Sequence, residues 1–248
     1  MTANHHALRD AILGYGAKAQ SEMTLKRVVE ADVFNFVRDD SNAFLFGLIA
    51  DQSVRAEIAW SMPYRLNQRL GHFDMAKIAR MKPEAFGAVM ATKPALHRYP
   101  NTMSRNLIAA AQRLQESFRG RAAEIWAPPA KALQIVNRLK DFKGIGHKKA
   151  SLGLILLIRN FNLKVADTHA IDVANDLHIR RVFLRTGLVA DDSADAILAA
   201  ARKLHPEYPG LLTTPIWVTG RTWCKVSGPN CPECVLTDHC QKRVHLGK

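Results

Sequence analysis

Hydrophobic residues recur at three- and four-residue spacing along most of this chain, and no stretch keeps the strict alternation of a half-buried strand. In "MSRNLIAAAQRLQESF", Leu107, Ile108, Ala111 and Leu114 share one helical face. The stretch "KKASLGLILLIRN" is apolar on nearly all sides, as expected of a helix that runs through a core. The pattern therefore predicts an all-α protein.

Capping residues and prolines predict where several helices begin and end. Asp40 and Ser41 are candidate caps for the apolar helix in "DDSNAFLFGLIADQ", and Pro63 is predicted to end the next helix, "SVRAEIAWSM". Two further helices are predicted from "DTHAIDVANDL" and "SADAILAAARKLH". Trp60 and Trp217 fall in helical patterns, so we expect them in the core.

The charge balance points to a polyanionic partner. The 248 residues include 35 lysines and arginines against 22 aspartates and glutamates, which gives a net charge of +13. Nucleic acid is the first candidate, although a basic solvated surface gives the same balance. No uncharged apolar stretch approaches the roughly 20 residues of a membrane span, and the N-terminal sequence lacks a secretory pattern. We expect a cytoplasmic, nucleoid-associated protein without a membrane partner.

The segment "FKGIGHKKA" predicts a helix, a glycine turn and a second helix. With positive φ at Gly144 and Gly146, the turn would bring backbone N–H groups up to a phosphate. A plain C-capping glycine between two helices is the alternative. His147, Lys148 and Lys149 follow on the first helical turn, where cations oppose the helix dipole, and this favours a functional interpretation.

A lysine at the positive end of a helix is suited to nucleophilic catalysis. Only the neutral amine attacks, and desolvation, the helix dipole and a neighbouring ammonium all lower its pKa. Further along, "VADTHAID" begins with a carboxylate at Asp167. Simple N-capping by Asp167 is the alternative explanation for that residue.

All four cysteines lie near the C-terminal end of the sequence, with the spacing C-x6-C-x2-C-x5-C. In a chain without an export signal, this clustering favours a metal site over disulfides. Four thiolates can bind Zn²⁺ or an iron–sulfur cluster, but zinc sites more often use two short paired knuckles. The candidate ligands are Cys224, Cys231, Cys234 and Cys240.

Together, these stretches resemble the endonuclease III family of helix-hairpin-helix DNA glycosylases, over about residues 40 to 240. The family pattern is L-x-G-[VI]-G-x-K-x-A followed by V-D-T-H, matched here by "FKGIGHKKA" and "VADTH". The cysteine spacing, preceded by "GRTWC", matches the family's [4Fe–4S] loop. Ala166 and Lys149 depart from the family pattern, and these departures leave the substrate open.

The resemblance implies a fold of two helical lobes with a DNA cleft between them, a helical barrel and a cluster lobe. The implied domains are a barrel at 33–160 with the helix-hairpin-helix at about 131–158, and a cluster domain at 1–32 and 161–248 with the cluster loop at 224–240.

The same resemblance assigns roles to residues. Lys148 would form the Schiff base and Asp167 would be the catalytic aspartate. The implied DNA-binding residues are Gln52, Gly144, Ile145, Gly146, His147 and Lys225. Gln52 would enter the space left by an extruded base, although a polar residue at a helix end explains it equally well. Lys225 would bind a DNA phosphate, and the alternative is that its side chain is simply solvated. Leu96 and His97 are guesses for the residues of the wedge loop.

The predicted function is that of a monomeric, bifunctional DNA glycosylase and AP lyase in base excision repair. It would act on double-stranded DNA with a damaged or modified base, with an oxidised pyrimidine favoured over uracil, mismatched thymine or modified cytosine. One alternative is a monofunctional mismatch or modified-base glycosylase, although an adenine-mismatch enzyme would lack a lysine at position 148. The other is a non-catalytic iron–sulfur protein that binds DNA or senses redox state.

Overall fold

The computed structural model describes residues 2–22 and 24–244, and its regular elements in those ranges are all helical, which confirms the predicted all-α class. Residues 1, 23 and 245–248, which belong to the predicted cluster domain, lie outside the described residues. Of the helices described, none is both long and apolar enough to cross a bilayer. The α-helices are α1 (Ala3–Glu22), α2 (Leu25–Val28), α3 (Ala31–Asp39), α4 (Ser41–Ala50), α5 (Ala56–Leu70), α6 (Met75–Ala79), α7 (Pro83–Ala91), α8 (Pro100–Ser117), α9 (Ala132–Lys140), α10 (His147–Phe161), α11 (Leu177–Thr186), α12 (Ala194–Leu204) and α13 (Thr213–Thr222).

Two predicted helix boundaries can be compared with the structure, the start of α4 and the end of α5. Asp40 caps α4 as predicted, because its carboxylate accepts the N–H groups of Asn42 and Ala43. The prediction that Pro63 ends a helix is wrong, since α5 continues through it to Leu70. Proline removes one helical hydrogen bond, and burial of Met62 and Leu66 on either side offsets that loss.

The buried hydrophobic residues form two clusters. The first core takes its residues from α2 to α10 and extends from Leu25 to Ile171, both of which lie outside the predicted 33–160 range. The second core combines Leu8 and Ile12 of α1 with residues of α11 to α13 and with Leu236. Residues of both clusters line a cleft between them.

The chain crosses from the first core to the second in an extended segment, so the helix predicted over "DTHAIDVANDL" is wrong. Only Thr168–Ala170 is helical there, as a short 3-10 turn, and α11 begins at Leu177. The reason is burial on two sides. Ile171 packs into the first core and Val173 into the second, and a non-helical backbone covers more distance per residue than the 1.5 Å rise of a helix, so it can bridge the two cores.

The helix-hairpin-helix consists of α9, a glycine turn and α10. Gly144 has the predicted positive φ of 90°, and a Cβ there would come within 2.9 Å of the Asn106 amide nitrogen. The prediction of positive φ is wrong for Gly146, which is extended and is the N-cap residue of α10. Ile145 between them is buried in the first core and anchors the turn.

Candidate active site and DNA interface

The cleft between the two cores encloses about 590 Å³. Lys148 and Lys149, on the first turn of α10, line it together with the carboxylates of Asp51 and Asp176. Two potential nucleophiles and two potential proton acceptors therefore face one space beside the hairpin. Its remaining walls are largely apolar and include Trp60, Trp217, Leu25, Val28, Leu152, Ile155 and Leu156.

The two neighbouring lysines have different surroundings. Lys149 is buried, and its ammonium donates to the carbonyl oxygen of Ile49 at 2.7 Å and to Gln52 Oε1 at 3.5 Å. Burial lowers the pKa of Lys149 to about 8, against the opposing effect of Asp51 and with a further lowering by Lys148. Lys148 is only partly buried. The Lys148 amine is therefore the more accessible of the two.

Asp51 follows α4 and reaches the cleft directly after the last helical residue. Burial raises the pKa of Asp51, and the positive charges of Lys148 and Lys149 partly counteract this. Asp51 was not among the site residues predicted from the sequence. The signal available for it was an acidic residue at the end of an entirely apolar helix, a position that gains nothing from the helix dipole.

Asp176 is the N-cap of α11, where its carboxylate accepts the N–H groups of His178 and Ile179, each at 2.9 Å. These two bonds fix the side chain at the wall of the cleft. Asp176 was also not among the predicted site residues, because the helix was predicted to begin ten residues too early. The pattern of Ile179, Val182 and Phe183 ahead of Gly187 marks the true helix.

Asp167 does not line the cleft. Its carboxylate accepts the N–H of Ala132 at 2.7 Å and that of Leu133 at 3.5 Å, so it caps α9. Burial raises the pKa of Asp167, but these backbone donors outweigh burial and the pKa lies below its ordinary value. In this structure Asp167 therefore caps α9 and does not line the cleft with Lys148, which is the capping alternative with a different helix capped.

The hairpin presents an open helix N-terminus. The first N–H groups of α10 have no intrahelical acceptor, and Gly146 has no side chain to cap them. Nothing lies within 4 Å of the position that a Cβ of Gly146 would occupy, so a ligand can approach the backbone. His147 at the helix start is held by the buried Asp172, at 2.9 Å from Nε2 to Oδ2.

Asp172 joins the hairpin to α12. Besides contacting His147, it accepts two hydrogen bonds from Arg202, at 2.7 and 2.8 Å. The side chains of His147 and Arg202 remain 42% and 57% exposed, so an imidazole and a guanidinium border the turn. Asp172 was likewise not among the site residues predicted from the sequence.

Gln52 is exposed and lines the cleft, in contact with Lys149. The two residues predicted for the wedge loop are buried, since Leu96 and His97 are 1% and 2% exposed. His97 is fixed between the Ala50 carbonyl at 3.2 Å and the Tyr99 N–H at 3.0 Å. Neither residue can enter DNA from this position, and the wedge assignment is corrected accordingly.

The four cysteines converge on one small cavity, which Arg185 and Trp223 also line. Their side chains are all partly buried. Across the described residues, no group of three or more His, Cys, Asp or Glu side chains forms a site for a metal ion. The buried Arg185 secures the loop, because its guanidinium donates to the carbonyl oxygens of Lys225 at 2.6 Å and Val226 at 3.0 Å. The side chain of Lys225 is left exposed.

Comparison with known proteins relates this arrangement to DNA glycosylases, although no family model matches the chain. Endonuclease III of Thermotoga maritima is 29% identical over 114 residues, which cover 46% of this chain and 49% of that protein. The match thus spans about half the length of this relative.

Three solved structures share the fold. A non-covalent endonuclease III–DNA complex aligns with a TM-score of 0.66 at 16% identity, over 98% of this chain and 97% of the other. A trapped covalent endonuclease III–DNA intermediate gives 0.62 at 18%, over 82% and 84%. A thermostable thymine-DNA glycosylase gives 0.65 at 14%, over 96% of both. The chain therefore shares the all-helical fold of endonuclease III and of a thymine-DNA glycosylase, and part of it is similar in sequence to endonuclease III.

Proposed function

We propose that the protein is a base excision repair glycosylase with AP lyase activity, in which Lys148 is the nucleophile. The observation that carries this proposal is the Lys148 amine at the wall of a cleft that also presents the Asp176 carboxylate, directly beside the hairpin. A base inside duplex DNA is inaccessible, so the target nucleotide is flipped into the cleft while the open end of α10 holds a backbone phosphate.

The chemistry follows from an amine and a carboxylate in one site. The neutral Lys148 amine attacks C1′, the bond from C1′ to the base breaks, and the base leaves with the electron pair and takes up a proton. Opening of the sugar C1′–O4′ bond then gives an imine. Removal of a C2′ proton expels the 3′ phosphate with its electron pair, and the strand is nicked.

We assign the catalytic carboxylate to Asp176. It accepts the proton that Lys148 loses on attack, or it stabilises positive charge on the sugar as the base leaves. Asp51 lies in the same cleft beside Lys149 and balances the charge of the two lysines. Asp167 keeps a structural role as the cap of α9.

The activity can be tested before the natural base is known, because an abasic site already carries the sugar that the lysine attacks. On a duplex with one abasic site, the protein should nick the strand 3′ to the site, and borohydride should trap a covalent protein–DNA adduct. A protein that does neither, although it binds the duplex, would contradict the lyase assignment.

The four cysteines are the proposed ligands of a [4Fe–4S] cluster, since all four line one cavity and thiolates are the usual ligands of such clusters, although in the described residues they form no site for a single ion. Cys224, Cys231, Cys234 and Cys240 would hold it. The bound cluster would supply structural cross-links, and Arg185 together with the ligands would fix the loop that carries Lys225.

Anaerobically purified protein should therefore be brown and contain iron and sulfide. Cys240→Ser should lose colour and loosen the segment after α13, because one of the four anchors is gone, whereas α2 to α10 should keep their helical signal. Iron analysis, visible absorption and circular dichroism measure these properties. Stoichiometric zinc without iron would rule out the cluster.

DNA binding should be mainly electrostatic, since the hairpin and the cluster loop contact phosphates. Affinity should fall steeply with salt, and Lys225→Ala should weaken binding to all sequences alike and reduce the slope of log K against log salt by about 1. Lys18→Ala on α1 is the matched control, because Lys18 is exposed but lies outside both elements. A change in lesion preference in Lys225→Ala would mean that the loop reads bases.

A further inference from the structure

The cleft is long in one direction, along α10. Its lining includes Lys148, Lys149, Leu152, Ile155, Leu156 and Arg159, all on one face of that helix. From Lys148 to Arg159 the helix rises about 16 Å, or roughly three turns. The two lysines lie at one end of this face, so most of the cleft lies beyond the point where the sugar would be attacked.

The wall along this length is aromatic and aliphatic. Leu25 and Val28 of α2, Trp60 of α5 and Trp217 of α13 contribute to it. Such a surface binds flat, apolar rings by stacking and dispersion rather than by hydrogen bonds.

The two tryptophans are fixed by their own neighbours. Trp60 is 3% exposed and packs against Phe44 at a centroid distance of 5.4 Å. Its ring lies so close to Gly47 that a Cβ there would come within 2.7 Å. Trp217 is covered by the guanidinium of Arg221, 5.0 Å from the ring centroid. The cavity is therefore built into the fold.

A single pyrimidine ring would leave much of this cavity empty. A ring attached at C1′ reaches about one helical turn beyond the sugar, or ~5.4 Å, whereas the lined face extends over roughly three turns. The volume of about 590 Å³ lies in the middle of the roughly 300–1,000 Å³ range of sites that enclose drug-sized ligands. Empty apolar wall gives no binding energy, so a small base would gain little here.

We propose that the cleft selects a base larger than one pyrimidine ring, namely a purine or a base extended by an additional fused ring. This inference rests on the proposed glycosylase function and specifies its substrate class. It differs from the oxidised pyrimidine that the family resemblance favours. The large base would extend past Lys148 along the apolar wall and contact Val28 and Trp217, which are only partly buried, whereas Trp60 is buried behind them.

The experiment uses the full-length protein and five duplexes, each with one site: hypoxanthine, 1,N6-ethenoadenine, uracil, thymine glycol or a plain abasic sugar. Single-turnover excision is measured on the first four and borohydride trapping on the fifth. We expect at least one of the two large bases to be excised about 10-fold or more faster than both pyrimidines, the scale on which pocket contacts discriminate.

A variant that shortens the cavity makes the test specific. Val28→Phe places a ring in the cleft and should slow excision of the large base about 10-fold or more relative to trapping on the abasic duplex. Leu133→Phe is the control, since Leu133 is 55% exposed on α9 and does not line the cleft. Val28→Leu is the milder substitution if the larger one lowers the melting temperature strongly.

The outcomes separate the two claims. Trapping on the abasic duplex with excision of pyrimidines alone would overturn the size inference and leave the glycosylase proposal standing. Equal loss of all activities in a folded Val28→Phe would also overturn it, because the cavity would then not discriminate by size. Absence of both trapping and excision on every duplex would overturn the proposed function and this inference with it.

Discussion

Asp176→Asn should fold and bind DNA, yet excise its base about 10²- to 10⁴-fold more slowly than the wild type, the range expected for loss of a general acid or base. The amide can neither accept the lysine proton nor balance positive charge on the sugar. Asparagine is as good an N-cap as aspartate, so α11 should keep its cap. Single-turnover kinetics on an excised lesion measure the effect.

Asp167 provides the matched comparison. Asp167→Asn should retain excision, because its carboxylate caps α9 and does not line the cleft. Asp167→Ala should lower the free energy of unfolding by about 1 kcal/mol through loss of that cap, again with little effect on excision. If Asp167→Asn were inactive and Asp176→Asn active, the role assigned from the sequence motif would be correct and the role assigned from the cleft geometry wrong.

Lys148→Gln should abolish borohydride trapping on an abasic duplex while binding is retained, since no amine remains to form the imine. Lys149→Gln should still trap, because the amine at position 149 donates to the Ile49 carbonyl and is buried. Consecutive helical residues also point about 100° apart, so the two amines cannot replace each other at C1′.

For thermal stability, in contrast to trapping, Lys149→Gln should be the more damaging of the two substitutions. Lys149→Gln disturbs a buried hydrogen bond between α10 and the end of α4 and should lower the melting temperature more than Lys148→Gln does. Denaturation followed by circular dichroism tests this. Trapping that persists in Lys148→Gln and disappears in Lys149→Gln would assign the nucleophile to Lys149, whose pKa of about 8 leaves part of the amine neutral near that pH.

Local sequence signals predicted the elements whose boundaries depend on local chemistry. The glycine turn before α10, the cap at Asp40 and the apolar length of α10 all follow from residues that are neighbours in the chain. These features were readable because turn conformation and capping involve residues only a few positions apart.

The errors arose where partners distant in the chain decide the outcome. Asp167 and Asp176 both precede helix-like sequence, and only packing shows that the first caps α9 while the second begins α11 and faces the cleft. The helix predicted after Asp167 does not form because Ile171 and Val173 are buried in different cores. Pro63 gave a stop signal that the packing of α5 overrides.

The motif spacing between lysine and aspartate could not resolve this choice, because Asp167 and Asp176 both lie in the largely irregular segment that joins α10 to α11. The pattern of Ile179, Val182 and Phe183 was available and places Asp176 at a helix start. The motif therefore indicates that an aspartate is required, and the fold shows that Asp176, not Asp167, lines the cleft.

The most direct test of the account is to identify the residue that becomes attached to DNA. Wild-type protein is incubated with a duplex containing one abasic site, reduced with borohydride and digested, and the nucleotide-bearing peptide is sequenced by tandem mass spectrometry. The account predicts a reduced sugar adduct on the side chain of Lys148. An adduct on Lys149 or on the N-terminal amine, or no adduct in protein that binds the duplex, would contradict it.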